Sequence, residues 1–196
     1  MADGKYYPDY WKEYVNYMKA NGRAPSREWA IFAARYRAAS AYQGAMFMQL
    51  TDKLTVGYSA GMGLLLSYSA FEAACRASMR ETYEVEIPGS KGFAVDCRKE
   101  LIRWFGRFGE EDFPLRGALA SSELRKKLDS FFAKETENLL PIASAFRHLF
   151  AHGHWTPNGS DTLSKGACSA IEMLAQLLRM KGDDLLCDAL PKASEM

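Results

Sequence analysis

Residues 57–85 form the most apolar long stretch of the chain, built around Met62, Leu64, Leu65, Leu66, Tyr68 and Phe71. A helix that is apolar nearly all round has no face to offer water, so it belongs at the centre with other elements packed on it. The rest of the chain has the matching character. Several segments carry apolar residues at helical spacing, and none shows sustained alternation of period two. Low-complexity tracts and internal repeats are absent from the sequence. The expected fold class is therefore all-α, an up-and-down bundle of five or more helices. Gly57, Gly61 and Gly63 fall in the central stretch, but the lysine and preceding strand of a phosphate loop are missing. They read instead as places where another element packs closely.

The covering helices can be taken in order. Tyr10, Tyr14, Tyr17 and Met18 share one face of a segment over 9–20, which Asn21-Gly22 ends. Ser26 is placed to cap the next helix with its hydroxyl. That helix is expected over 27–54, because the run has many alanines and no proline, with Phe32, Tyr36, Ala39, Gln43, Met46 and Leu50 on one face. Gly44 weakens its middle by about 1 kcal/mol relative to alanine, which allows a kink. After a loop at 86–92, a helix is expected over 95–108, where Lys99, Arg103 and Arg107 recur every four residues as a basic stripe beside Trp104, Phe105 and Phe108. Such a stripe could follow an RNA backbone or be an ordinary solvated face. An acidic turn at 109–114 leads to a helix over 121–139, with Leu124, Leu128, Phe131 and Phe132 inward. Pro141 suits the first turn of a helix that continues to about His152. Asp161 is placed to cap a last helix, Thr162 to Met180, whose face is Leu163, Ala167, Ile171, Leu174 and Leu178. Gly182 is expected to end it. The reading gives three parts: an extension at 1–24, a helical domain at 25–182 and a tail at 183–196 with one more turn at most.

With 196 residues, 48% of them apolar, the chain can bury one sizeable core. Its net charge of +1 gives no global signal for nucleic acid, so any such contact must be local. Cys75, Cys97, Cys168 and Cys187 are scattered and form no CxxC pair, which suits reduced buried thiols. The N-terminus has no apolar signal core, and no apolar run reaches the roughly 20 residues of a membrane span. A cytoplasmic protein without membrane contact or cofactor is expected.

One short segment gathers most of the chemistry. All three histidines, His148, His152 and His154, lie in Phe146-Arg147-His148-Leu149-Phe150-Ala151-His152-Gly153-His154, directly behind Arg147. His148 and His152 share a helix face. Arg147 and His152 point about 140° apart on an ideal helix, so they meet only if the helix loosens or a second copy faces the first. Three readings compete. Histidine and arginine can perform acid–base work on a phosphodiester, the imidazole moving a proton and the guanidinium holding the phosphate. The HxxxHxH spacing offers imidazoles to a metal, although no cysteine lies near. Finally, His and Arg suit a helix C-terminus for structural reasons alone. Glu72, among Phe71, Ala73 and Ala74, either pairs with Arg76 one turn along or faces the histidines and orients them.

Arg147-His148-Leu149-Phe150-Ala151-His152 resembles the arginine–polar–x3–histidine motif of the HEPN superfamily, the helical domains of prokaryotic defence and RNA processing. The layout over about 25–182 is similar too, with a long helical pair, an internal helix carrying Glu72 and the motif on a late helix. His148 stands where asparagine or aspartate is frequent. The resemblance implies a metal-independent endoribonuclease working as a homodimer, in which the Arg147 of one chain meets the His152 of the other. Arg147 would hold the scissile phosphate. His152 would act as general acid or base while the RNA 2′-hydroxyl attacks, leaving a 2′,3′-cyclic phosphate, and His148 would take the motif's polar position. Glu72 and His154 are added as candidate participants on their location, and Lys99, Arg103 and Arg107 as RNA contacts. Trp104, Trp155 or the N-terminal tyrosines could stack on unpaired bases. Many members are toxins or phage-defence components restrained by a nucleotidyltransferase-like antitoxin. Others are inactive modules that bind nucleotides or proteins.

Overall fold

The computed structural model describes residues 6–45, 51–89, 91–105, 119, 121–152 and 165–191, with the backbone alone for Lys53, Lys91, Val95 and 101–105. These residues are all-α. Seven α-helices follow in order: α1 (Trp11–Ala20), α2 (Arg27–Ala41), α3 (Asp52–Ala77), α4 (Lys91–Phe105), α5 (Ser122–Phe132), α6 (Leu140–Ala151) and α7 (Lys165–Asp188), with a 3-10 turn at Thr82–Glu84 and no strand among the described residues. No helix among them is long and apolar enough to cross a membrane. The chain forms two compact units. One comprises Met1–Gln43, Leu66–Val85 and Gln176–Met196, and the other Gly44–Leu65 and Glu86–Ala175. Helices α3 and α7 each contribute to both. The stretches 1–24 and 183–196 both fall within the bounds of the first unit.

In the first unit, Ser26 caps α2 as expected, its hydroxyl accepting the Trp29 N–H at 3.3 Å. Successive ring contacts run Trp11–Tyr14–Trp29–Phe32–Tyr36, with centroids 5.7, 6.2, 5.7 and 5.7 Å apart. Edge-on and tilted pairs of this kind place ring edges on the negative faces of their neighbours. Phe32 and Phe71 are fully buried, and burying such a side chain contributes about 1.5–3 kcal/mol. The Asp183 carboxylate accepts the Asp9 and Tyr10 N–H groups at 3.0 and 3.4 Å, which fastens the start of α1 to α7.

Two helix ends in this region differ from expectation. The helix expected over 27–54 stops at Ala41, and Gly44 adopts φ +117°, a conformation that side-chain-bearing residues avoid. Met46 and Leu50 lie outside the described residues, and Gln43 is exposed. Helix α7 runs on through Gly182 to Asp188 instead of ending near Met180, so the first six residues of the expected tail are helical. Gly182 is there for packing: a Cβ on it would meet the Phe32 ring at 2.9 Å. The face expected for this helix is buried at Ala167, Ile171, Leu174 and Leu178, while Leu163 and the Asp161 cap lie outside the described residues.

In the second unit, α5 packs on α4 and α6. The helix expected over 121–139 ends at Phe132, and the chain turns through Lys134 at φ 65°. Arg98 explains this turn. Its side chain is 9% exposed, its Nε donates to the Phe131 carbonyl at 2.7 Å, and its Nη2 donates to the Thr136 carbonyl at 2.6 Å. Its guanidinium also lies 4.5 Å from the Phe131 ring centroid. Beyond the turn, Pro88 and Asn138 form an isolated antiparallel bridge, the Leu139 N–H donates to the Ile87 carbonyl at 2.9 Å, and Asn138 Oδ1 accepts from the N–H groups of Ile87 and Leu140. The start of α6 is thereby held by the loop at 86–89.

Candidate functional site

Helix α6 begins with Pro141 in its first turn, as expected, because the missing N–H of proline costs nothing there. Leu140, Ile142, Ala143, Ala145, Phe146 and Leu149 are buried, which anchors one side of the helix in the second unit. The helix ends at His152, whose φ −94° and ψ 5° leave the helical range and whose N–H still donates to the His148 carbonyl at 3.1 Å. Phe150 is half-buried and packs its ring over Gly61 of α3, where a Cβ would come within 2.5 Å of the ring, and stands edge-on to Tyr58 at 6.2 Å. Gly61 is thus a close-packing glycine in a helix, not part of a phosphate loop.

On this anchored helix the polar side chains reach outward to different degrees. Arg147 and His148 are half-buried, and His152 is exposed. The His148 and His152 ring centroids are 4.5 Å apart with planes tilted by 51°, so the i,i+4 spacing does bring the two imidazoles together. An arginine and two imidazoles on the last turn of one buried helix provide a cation for an anionic group and two groups able to move protons. The pair lies at the helix C-terminus, where the unsatisfied carbonyls favour positive charge.

The other candidate residues belong to other elements or lie outside the described residues. Glu72 is half-buried on the part of α3 that belongs to the first unit, close enough to Cys75 for its charge to help raise that thiol. Lys99 is exposed on α4, next to the inward Arg98. The backbone of Arg103 continues α4, one turn beyond Lys99. The Arg103 side chain, and Arg107, Trp155 and His154 altogether, lie outside the described residues. Among the described residues no group of three or more His, Cys, Asp or Glu is arranged to hold a metal.

Two buried polar features were not anticipated. One is Arg98, buried beside the exposed Lys99 of the basic stripe. The other is a cluster in the first unit. There Ser67, fully buried in α3, accepts from Arg179 Nη1 at 2.7 Å, and burial lowers the Arg179 pKa and raises that of Tyr36. A serine in the most apolar helix was the available signal, since a hydroxyl buried there needs a partner. Comparisons with protein-family models, curated proteins and solved structures found no match for the chain.

Proposed function

We propose that this chain is a HEPN-like, metal-independent endoribonuclease, acting as a toxin or phage-defence component in the cytoplasm. The observation that supports the reading best is the last turn of α6, where the His148 and His152 rings lie 4.5 Å apart, directly after Arg147, on a helix with one side buried. A site on a rigid element holds its groups in position without an ordering cost at each turnover.

In this reading the guanidinium of Arg147 binds the scissile phosphate and stabilises the charge that grows on it. His152 removes the 2′-hydroxyl proton as the O2′–P bond forms, or delivers a proton to the 5′ oxygen as the P–O5′ bond breaks. The products are a 2′,3′-cyclic phosphate and a 5′-hydroxyl. His148 lies against His152 and orients it. Because Arg147 and His152 diverge by about 140° along one ideal helix, the productive pair is formed between two chains of a homodimer. Lys99, Arg103 and Arg107 add backbone contacts to RNA, and a nucleotidyltransferase-like antitoxin is the expected restraint on the enzyme.

A complementation assay tests both the residues and the dimer. Arg147→Ala and His152→Ala are each expected to reduce RNA cleavage by about 10²–10⁴-fold, the usual contribution of a positioned proton-transfer group. Mixed together, the two inactive variants are expected to recover part of the activity, because a mixed dimer keeps one intact Arg147–His152 pair. Full activity in either single variant would overturn the assignment of these residues. Absence of recovery from a dimer that exchanges subunits would overturn the shared site.

A further inference from the structure

We propose that His148 and His152 form a two-imidazole site for a divalent late transition metal ion, zinc or copper(II), on the last turn of α6. The separation of the rings carries the argument. A metal bound about 2.0–2.1 Å from an imidazole nitrogen lies about 3.2 Å from the centroid of that ring, so two imidazoles at about 90–110° on one ion have centroids about 4.5–5.2 Å apart. The observed separation is 4.5 Å, and the 51° tilt differs from the near-parallel planes of stacked rings. A centroid separation of 4.5 Å thus falls within the range that two imidazoles on a single ion require.

Three further properties favour the same ligand. Imidazole nitrogen suits zinc and copper better than magnesium or calcium, which take oxygen. The ion would sit at the C-terminal end of α6, where the free carbonyls attract a cation. The scaffold is rigid, with Phe146 and Leu149 only 2% and 1% exposed, so chelation orders little that is not ordered already. His148 is half-buried and His152 exposed, so the site opens to solvent. No third His, Cys, Asp or Glu among the described residues completes the set. With the two imidazoles as its protein ligands and water in the remaining positions, the proposed site binds its ion reversibly.

The consequence for activity rests on the nuclease reading. A ring nitrogen that binds a metal has no lone pair left for the 2′-hydroxyl proton. An enzyme that needs no metal is thus inhibited by one, and the metal acts as a reversible brake on the site.

The test is a calorimetric titration of the full chain with zinc chloride in a non-chelating buffer, beside His148→Ala and His152→Ala, with copper(II) EPR on the same samples. The expected result is one zinc per chain, with binding weakened by about tenfold or more in each variant, because the second imidazole otherwise binds at high effective concentration. Copper(II) should show two coordinating nitrogens. Far-UV circular dichroism checks that the variants remain helical. No binding by the wild type, or undiminished binding in either variant, would overturn the site. RNA cleavage assayed in the same samples separates the two claims. Zinc bound by a protein that cleaves nothing when metal-free leaves the site standing and removes the nuclease reading, whereas full-rate cleavage at saturating zinc removes the brake.

Discussion

Replacing Arg98 with alanine is expected to destabilise the second unit by about 3–5 kcal/mol, the range found when one partner of a buried charged network is removed. The structure supplies the components. Two short bonds, at 2.7 and 2.6 Å, run from the guanidinium to the carbonyls of Phe131 and Thr136. Hydrogen bonds to charged groups contribute about 1.5–3 kcal/mol each, before the cost of burying the charge is set against them. The stacking on Phe131, at 4.5 Å, adds about 0.5–2 kcal/mol. The ion pair to Glu137, at 3.4 Å, is longer than the two carbonyl bonds and adds less than they do, since the Glu137 side chain is 40% exposed although its Oε2 is buried. Arg98→Lys keeps the charge but loses the planar fork, and should recover less than half of the loss. Glu137→Ala should cost about 1 kcal/mol or less. Urea unfolding followed by circular dichroism gives the differences, and hydrogen exchange at the Leu139 and Gly89 amides reads the local effect. A loss below about 1 kcal/mol for Arg98→Ala, or a Glu137→Ala variant as damaged as Arg98→Ala, would refute the claim that the two carbonyl bonds hold this turn.

Other expectations follow from the same structure. Gly61→Ala forces the Phe150 ring away from α3 and should lower stability by about 1–3 kcal/mol in urea unfolding, with a rise in solvent exchange at the end of α6. Burial pushes the Cys75 thiol up to about 11 and that of Cys97 to about 12, and Cys168 is also raised, so at pH 8 iodoacetamide should label the partly exposed Cys187 alone in the native protein and all four thiols after denaturation. Burial raises the Asp183 carboxyl above its ordinary 3.8, against two backbone N–H groups that lower it. A raised folded-state pKa means that the stabilising contribution is present below 3.8 and is lost as the pH rises through the raised value. The stability of the wild type relative to Asp183→Asn should therefore fall over that window. A difference that grows with pH would contradict the assignment.

Much of the helical layout was legible because local chemistry and tertiary packing agree. Ser26 caps α2, Asn21-Gly22 stops α1 with Gly22 at φ 65°, and Pro141 opens α6. The features that escaped are those in which a distant residue decides the local outcome. Gly182 looks like a helix stop, yet Phe32 needs its missing side chain and the helix continues. Lys134 is an improbable residue for positive φ, and nothing nearby in sequence announces the turn that Arg98 holds from α4. Helix α2 ends at Ala41 and α3 starts at Asp52, although the apolar face of α2 could be drawn straight on in the sequence. At the candidate site the spacing of His148 and His152 was enough to foresee that they meet. It could not show that Phe150 would pack on Gly61, or that Glu72 would fall in the other compact unit.

The central claim concerns the chemistry of the α6 terminus, and one measurement addresses it directly. Purified wild-type protein and His152→Ala are incubated in EDTA with total RNA and with a structured tRNA, and the new 3′ ends are analysed. The account predicts cleavage by the wild type alone, with 2′,3′-cyclic phosphate ends. Cleavage by both proteins, or by neither when both are folded and dimeric, would contradict it and favour a role in binding over one in catalysis.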